Sequence, residues 1–332
     1  MARSVYVASV EGHTAKSVVA LGLIKALQGN NLRVGVFRSI TPDQENDHVL
    51  KLLLSQIDSP PEYQEAIGAT YREVHASAEK ALFKIVTRYR ALAKNYDAMV
   101  VVGSDFKDVV GTTEVAFNAR VAANIASPVV MVLSGRQAYT SAEHLGQADA
   151  RSIQDLSQMA ELSLNEMKSE QAHLMALAVN RAEPSSLGEI HDALKSLVAP
   201  EVPVWVLPED KLMVAPRLKQ IQEAVGGTMI YGDPARLETE TLDVVVAAMS
   251  AEHVLERLKD RAVVVAPSDR TDVILPLIMA DKAETFPTLS GIILNGGFEL
   301  PEEIKKLIKG IDSSIPIITC NLGSFDTTML VV

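Results

Sequence analysis

The start of the chain has the layout of a phosphate-binding loop but lacks the glycines of that loop. Val5–Ser9 is an apolar run typical of a buried strand, and residues 18–27 predict a helix directly after Lys16 and Ser17. A strand, a turn, Lys-Ser and a helix are the order of elements that wraps backbone N–H groups around phosphate oxygens. That motif has glycine five places before its lysine and immediately before it, where this chain has Val10 and Ala15. The layout indicates nucleotide-fold ancestry and leaves the chemistry open.

Each residue type in such a loop has a physical role. The lysine adds a point charge beside the phosphate, and the hydroxyl of Ser17 would hold Mg²⁺. Glycine is used where the backbone approaches a phosphate closely or takes a positive φ. Ala15 is therefore unstrained only with a negative φ, and a positive φ would cost about 1–2 kcal/mol. The alternative interpretation is an ordinary strand–helix turn with Lys16 in solvent, and Lys16 is expected to be exposed.

The composition is typical of an α/β protein, the length allows two domains, and the net charge argues against two kinds of partner. The 332 residues are enough for two domains, and 48% are hydrophobic while only 5% are aromatic. Val, Ala, Leu and Ile then fill the cores, as in proteins with buried parallel strands. The net charge of −11 argues against nucleic acid or an anionic membrane as a partner.

The single cysteine and the N-terminal residues bear on the compartment. Cys320 is the only cysteine, so an internal disulfide is impossible and a reducing, cytoplasmic compartment fits. Met1 is followed almost at once by the first predicted strand, so no signal peptide is expected. The apolar runs are far too short to span a bilayer.

Strands and helices alternate along the chain, which predicts a doubly wound, mostly parallel sheet. The predicted strands of the first part are 5–9, 33–37, 98–102, 128–133, 176–179 and 204–207, and its predicted helices are 18–27, 71–95, 113–126 and 141–171. After a break at 208–228, a smaller α/β unit has predicted strands 243–249, 262–265, 291–294 and 315–318 and predicted helices 251–258, 271–281 and 301–309. The domain prediction is residues 1–215 and 216–332, with an apolar end from Asp326 that resembles a helix cut off part way.

Further motifs in the first part resemble a known family. Arg38 follows the second predicted strand, Asp47 precedes an apolar segment, and Asn180 follows a later strand. With the opening loop, these residues resemble the dethiobiotin-synthetase-like ATP-binding fold of the P-loop NTPase type. The resemblance implies that Arg38 stands where the family has Lys-Pro, and that Asp47 is placed to bind Mg²⁺. It also leads us to expect a Glu near Val102, which this chain lacks.

The resemblance implies a candidate site at the carboxyl ends of the strands, with ATP or another nucleotide and Mg²⁺ as the candidate cofactors. Asp105 and Asp108 are candidate replacements for the missing Glu, or else cap a helix or lie in solvent. The nucleotide- or phosphate-binding candidates are Gly12, Thr14, Lys16, Ser17, Arg38 and Asn180. The metal-binding candidates are Ser17 and Asp47. No catalytic residue is assigned, because no base is placed by motif beside a nucleophile.

The second unit carries motifs of another family. Tyr231–Pro234, Pro267–Ile274 and Leu294–Phe298 resemble the DRTGG domain, with Asp272 where the family name has glycine. A dethiobiotin-synthetase-like domain followed by a DRTGG domain resembles the N-terminal region of long-form phosphate acetyltransferases, and Phe117–Asn124 suggests the actinobacterial type. The resemblance implies that the parent enzyme exchanges acetyl between CoA and phosphate, in a C-terminal domain that is absent from this chain.

The resemblance therefore implies a regulatory, oligomer-forming region rather than an acetyltransferase by itself. Its implied partners are its own acetyltransferase domain, further copies of the chain and a small-molecule effector. The predicted regulatory or interface residues are Asp269, Arg270, Asn295, Gly296 and Gly297. A local ion pair at the first two, and a simple turn at the two glycines, are the alternatives. A stand-alone P-loop enzyme related to dethiobiotin synthetase and a ligand-free scaffold also remain open.

Overall fold

A computed structural model describes residues 3–12, 14–42, 44–104, 111–137 and 149–331. The described chain forms two compact units, the first ending at Glu209 and the second beginning at Asp210. Both units are α/β, so the predicted fold class is confirmed. The domain boundary after residue 215 stays a prediction. No helix among the described residues has the length and apolar character needed to cross a membrane.

The first unit is built on a seven-stranded sheet in which every pairing is parallel. Its strands are β1 (Arg3–Ser9), β2 (Val34–Thr41), β3 (Ile67–Thr70), β4 (Ala98–Val102), β5 (Val129–Ser134), β6 (Leu174–Ala182) and β7 (Val204–Pro208). Its helices are α1 (Lys16–Gly29), α2 (His48–Leu54), α3 (Tyr71–Ala76), α4 (Ala78–Leu92), α5 (Gly111–Asn124), α6 (Ile153–Ser169) and α7 (Leu187–Lys195).

Strand β1 lies at the centre of this sheet, and this position locates the candidate site. The strand order is β3-β2-β4-β1-β5-β6-β7, so β1 pairs with β4 on one side and with β5 on the other. Tyr6 and Ala8 belong to one buried cluster, whereas Val5 and Val7 belong to another. Successive residues of a strand point to opposite faces, so β1 serves both cores and reads as a continuous apolar run. The loop after β1 leaves the sheet where doubly wound folds bind their ligands.

The first unit differs from the sequence prediction at several elements. The second strand extends to Thr41, so Arg38 lies inside it and not after its end. Strand β3 and helix α2 were not predicted. The single helix predicted over 71–95 is two helices, because Ser77 is extended and its hydroxyl accepts the backbone N–H of Lys80 as the cap of α4.

The helix predicted over 141–171 is also shorter than expected. The observed helix α6 begins at Ile153, behind a Ser152 cap whose hydroxyl accepts the Asp155 N–H. Residues 138–148 lie outside the described part of the chain.

The second unit has a five-stranded sheet in the order β8-β12-β11-β10-β9, parallel except for the β8–β12 pair. Its strands are β8 (Thr228–Tyr231), β9 (Asp243–Val246), β10 (Ala262–Pro267), β11 (Gly291–Asn295) and β12 (Ile317–Thr319). Its helices are α8 (Lys211–Val214), α9 (Leu218–Ala224), α10 (Ala251–Leu255), α11 (Thr271–Lys282), α12 (Glu302–Ile311) and α13 (Ser324–Val331).

The central strand β10 of the second unit again serves two cores. Val264 packs in one buried cluster, and Val263 and Val265 pack in the other. Cys320 and Val331 lie in the second of these clusters, so the cysteine and the end of α13 are part of the fold. Cys320 is buried and unpaired, as a small apolar residue would be.

Candidate functional site

The residue directly before Lys16 has a left-handed backbone conformation although it is alanine and not glycine. Ala15 has φ 52° and ψ 38°, which is the left-handed region. The negative φ that would leave Ala15 unstrained is therefore not observed, and we assign this residue a strain of about 1–2 kcal/mol. The side-chain amide of Asn180, on β6, donates to the carbonyl oxygens of Thr14 at 3.1 Å and of Ala15 at 3.3 Å. These hydrogen bonds hold the strained peptide in place.

Lys16 does not lie in solvent, and the expectation of an exposed side chain is wrong. The residue is 5% exposed, and its Nζ donates to the carbonyl oxygen of Ser104 and to Ser9 Oγ at 3.4 Å. The first turn of α1 faces the ends of β1 and β4, where these acceptors lie. Burial lowers the pKa of Lys16 well below its ordinary value, and the nearby guanidinium of Arg38 lowers it further.

Arg38 and Asp47 form a buried ion pair. The Arg38 Nε lies 2.9 Å from Asp47 Oδ2, and Arg38 Nη1 donates to the carbonyl oxygen of Gly103. The Asp47 carboxylate also accepts the Thr41 hydroxyl at 3.0 Å and the Leu50 N–H at 3.0 Å, which makes it the cap of α2. Burial raises the pKa of Asp47, but the guanidinium and these hydrogen bonds outweigh it and hold the pKa below its usual value.

Lys16 and Arg38 both donate to the backbone just after β4, and further polar side chains lie at the same place. Asn118, on α5, accepts the Tyr6 hydroxyl at 2.6 Å and the Ser104 N–H at 3.1 Å, and it donates to Ser104 Oγ at 2.7 Å. Ser104 Oγ donates in turn to Glu114 Oε2 at 3.3 Å. A Cβ on Gly103 would lie 2.5 Å from Asn118 Oδ1, so a larger residue here would have to displace the Asn118 amide. The pKa of the Tyr6 hydroxyl is raised by burial.

Glu114 and Asn118 are functional candidates that the sequence reasoning missed. Glu114 contributes to the electrostatic environment of Lys16, as does Asp47. A carboxylate from the next helix therefore lies close to the place where the resemblance implied a Glu near Val102. Their spacing in the sequence could have pointed to them, because residues four apart lie on one face of a helix, and the helix that carries Glu114 and Asn118 follows the end of a strand.

A second ion network lies beside the loop, at the ends of β5, β6 and β7. Its ion pairs form two groups, Arg136 and Arg181 with Glu183 and Glu209, and Arg151 with Glu11. The Arg151 Nη2 joins the groups by donating to the Arg136 carbonyl oxygen at 3.1 Å. The Arg151 Nη2 lies 2.9 Å from Glu11 Oε1, which ties the loop after β1 to the segment after β5. Burial raises the pKa of Glu11, whereas Arg151 lowers it. This network could not be predicted from the sequence, because the two members of each ion pair are far apart in the chain.

The arrangement at Asp47 does not fit Mg²⁺ as it stands. Magnesium takes several oxygen ligands in an octahedron, and here the Asp47 carboxylate is engaged by Arg38, Thr41 and Leu50. Ser17 is half-buried. Among the described residues, no group of three or more His, Cys, Asp or Glu side chains is placed to hold a metal ion. The assignment of Ser17 and Asp47 to a metal stays a prediction, and Asp105 and Asp108 lie outside the described residues.

The predicted interface residues of the second unit divide into surface and interior positions. Asp269, Gly296 and Gly297 are exposed, and the two glycines have positive φ values of 92° and 70°. Asn295 is buried, and its side chain contacts Ser324 Oγ at 2.9 Å. The side chain of Asn295 therefore joins β11 to α13.

Arg270 forms a local ion pair, which was the alternative to an interface role, but its partner is Asp272 and not Asp269. Its Nε lies 2.9 Å from Asp272 Oδ1, and its Nη2 donates to the carbonyl oxygen of Met249 at 2.9 Å. The guanidinium therefore organises the turn before α11. Asp272 is the residue that stands where the DRTGG name has glycine.

Comparison with known protein families covers both units. Residues 3–209 match the family described as the AAA domain, and residues 220–332 match the DRTGG domain. The phosphate acetyltransferase of Nitratidesulfovibrio vulgaris is 26% identical over 341 residues, which cover 98% of this chain and 46% of that protein. The phosphate acetyltransferase of a Synechocystis species is 25% identical over 338 residues, which cover 99% of this chain and 46% of that protein.

The chain thus spans about half the length of the curated relatives that it matches. Among solved structures, a chain of the MinC:MinD cell division protein complex of Aquifex aeolicus overlaps 64% of this chain and 84% of its own. Its TM-score is 0.38 and its sequence identity is 14%.

Proposed function

Since the chain belongs to the AAA domain family over residues 3–209 and continues into a DRTGG domain, we propose that it is the regulatory and oligomer-forming region of a phosphate acetyltransferase. The predicted resemblance to these enzymes is confirmed by relatives that match nearly the whole chain. In our proposal, the parent enzyme exchanges acetyl between CoA and phosphate in its other half. That half would be the partner of this region.

The observation that carries the regulatory proposal is the pair of buried cations behind the loop. Lys16 is the first residue of the 14-residue helix α1 and follows the left-handed Ala15, whereas Arg38 lies in β2 and is near enough to act on the charge of Lys16. A helix N-terminus and two cations together attract an anion such as phosphate. A phosphate group would give the Lys16 ammonium an anionic partner in place of the neutral carbonyl of Ser104. We therefore assign the loop a phosphate-bearing effector, and a nucleotide is the first candidate.

A thermal-shift screen of the chain against ATP, ADP, NADH, pyruvate, CoA and acetyl phosphate tests effector binding. A ligand at 100 times its Kd should stabilise the fold by about 2.7 kcal/mol. Lys16→Met should abolish the shift, whereas Lys25→Met should retain it, because Lys25 is an exposed lysine of the same helix. No shift with any of the six compounds would contradict effector sensing and favour a ligand-free scaffold.

The enzymatic alternatives have their own assays. The chain alone is expected to release no thiol from acetyl-CoA in the presence of phosphate. It is also expected to hydrolyse ATP weakly or not at all. Phosphate-dependent thiol release would contradict the first expectation. ATP turnover on the order of 1 s⁻¹ or more that Lys16→Met abolishes would instead favour a stand-alone P-loop enzyme.

The second unit is proposed to carry subunit contacts through its exposed loops at Asp269 and at Gly296. A symmetric pair through one edge would be isologous, and a lasting interface should bury more than roughly 1,000 Å². Asp269→Ala together with Arg270→Ala should then shift sedimentation toward the monomer. Glu302→Ala with Lys305→Ala is the matched control, because it removes another exposed ion pair of the same unit. A monomeric native chain at high concentration would remove the assembly role.

A further inference from the structure

The ion pair of Arg38 and Asp47 bears on how a ligand's charge would be balanced at the loop. Asp47 is the carboxylate that the resemblance assigns to Mg²⁺. In the structure it instead faces a guanidinium at 2.9 Å, and both side chains are almost fully buried. The Thr41 hydroxyl and the Leu50 N–H also donate to this carboxylate. Asp47, the residue that the resemblance assigns to a metal ion, is therefore paired with an arginine side chain instead.

The position of Arg38 is fixed by the sheet as well as by this carboxylate. Arg38 lies within β2 and is in register with Val102, the last residue of β4. Its Nη1 donates to the carbonyl oxygen of Gly103, one residue beyond that strand. Lys16 donates to the next carbonyl, that of Ser104, so the two cations contact consecutive peptides of one chain segment.

The charges around the loop consequently differ from those of a site that binds a metal–phosphate complex. A guanidinium is a fixed positive group of the chain, and it cannot leave the site as a metal ion can. A divalent cation at Asp47 would have to displace Arg38 from its carboxylate and then remain next to two buried positive groups. We propose that Arg38 takes the place of the divalent cation, so that the loop binds a phosphate-bearing anion without a metal ion. This inference rests on the proposed function of effector binding.

The test compares binding to the whole chain in two media of equal ionic strength. Calorimetric titration of ATP is carried out once in excess EDTA and once in excess MgCl₂. The expected result is a Kd in EDTA that is equal to or lower than the Kd in MgCl₂, because Mg²⁺ removes free ATP from solution. A Kd more than threefold lower in MgCl₂ overturns the inference, and it leaves effector binding intact.

Two variants of the ion pair sharpen this test. Arg38→Gln with Asp47→Asn replaces the buried ions by a neutral amide pair, and it should weaken ATP binding in EDTA at least tenfold. Arg33→Gln with Asp97→Asn is the matched control, because it neutralises an exposed pair of the same unit. If the buried double variant folds and binds ATP in EDTA within threefold of the unaltered chain, Arg38 does not act as proposed.

Asp47→Asn alone keeps the charge of Arg38 and answers the same question if the double variant fails to fold. The inference expects it to bind ATP in MgCl₂ within threefold of the unaltered chain, or more tightly. A tenfold or greater loss would make Asp47 a metal ligand and overturn the inference. If ATP, ADP, pyrophosphate and acetyl phosphate all fail to bind in both media, then effector binding itself fails, and this inference fails with it.

Discussion

An arginine–aspartate ion pair occurs in each unit, but in opposite environments: Arg38 and Asp47 are paired in the interior of the first unit, and Arg270 and Asp272 at the surface of the second. In the first unit both side chains are buried; Arg38 donates to the carbonyl oxygen of Gly103 after β4, and Asp47 accepts the hydroxyl of Thr41 at the end of β2. In the second, Arg270 pairs with an Asp272 whose side chain is 60% exposed. Buried pairs are strongly destabilised by the loss of one partner, whereas exposed pairs contribute little. Loss of a charge at the loop should therefore affect stability strongly, whereas loss of a charge at the surface should affect it little.

The two regions also differ in how they meet a demand for positive φ. Gly296 and Gly297 take positive φ with the residue type that tolerates it. Ala15 takes φ 52° with a side chain that does not favour it. Strain that persists in a fold clusters at functional sites, but Ala126 and Arg261 also have φ 53°. The position of Ala15 directly before Lys16, and not the strain alone, directs attention to the loop.

The largest effect that separates the two regions is expected from Arg38→Ala. Removing the guanidinium leaves the buried Asp47 carboxylate without its cation, and this should cost about 3–5 kcal/mol of unfolding free energy. Urea unfolding monitored by circular dichroism measures the change. Arg33→Ala is the control, because Arg33 pairs with Asp97 in solvent, and it should lower the unfolding free energy far less. Equal effects of the two variants would contradict the proposed difference between buried and exposed charge.

A pH-dependent effect is expected from Lys16. Its pKa is lowered in the folded chain, so the unfolded chain binds more protons at pH values between that pKa and about 10.4. The unfolding free energy should therefore rise with pH across this window, with a slope of at most about 1.4 kcal/mol per pH unit. Arg38, Asp47 and Glu114 are the charged groups that act on this ammonium.

Lys16→Met isolates this contribution, since the variant should lose the rise while keeping every other titration. The measurement should stay below about pH 10, because Tyr6 has a raised pKa and acts with the opposite sign above it. Parallel pH profiles for the two proteins would contradict a lowered pKa of Lys16 in the folded chain.

Ala15→Gly is expected to stabilise the chain by about 1 kcal/mol or less. Glycine removes the left-handed strain of about 1–2 kcal/mol, and the greater freedom of the unfolded chain offsets part of that gain. Ala26→Gly is the matched control, because Ala26 is an exposed residue inside the same helix and should lose about 1 kcal/mol. Thermal unfolding of both variants gives the two signs. Destabilisation by both would argue against a positive φ at Ala15.

The sequence predicted the alternation of elements because each apolar run carries its own signal. Strand β3 and helix α2 were missed, since they are four and seven residues long. The inward position of Lys16 was not predictable, because its acceptor on Ser104 is 88 residues away in the chain. The pairing of Arg38 with Gly103 likewise depends on the register of β2 against β4. Local patterns define the elements, and long-range register defines the site.

The smallest effect is expected at the surface of the second unit, from Asp272→Asn. The change removes the charge that Arg270 faces, but both side chains reach water, and the Arg270 Nη2 keeps its hydrogen bond to the Met249 carbonyl. The unfolding free energy should therefore fall by less than about 1 kcal/mol. Urea unfolding at low and high salt measures it, and the difference between the two proteins should shrink as salt screens the pair. A salt-independent loss as large as that of Arg38→Ala would mean that this pair is a structural core of the unit, and the contrast between the two regions would then fail.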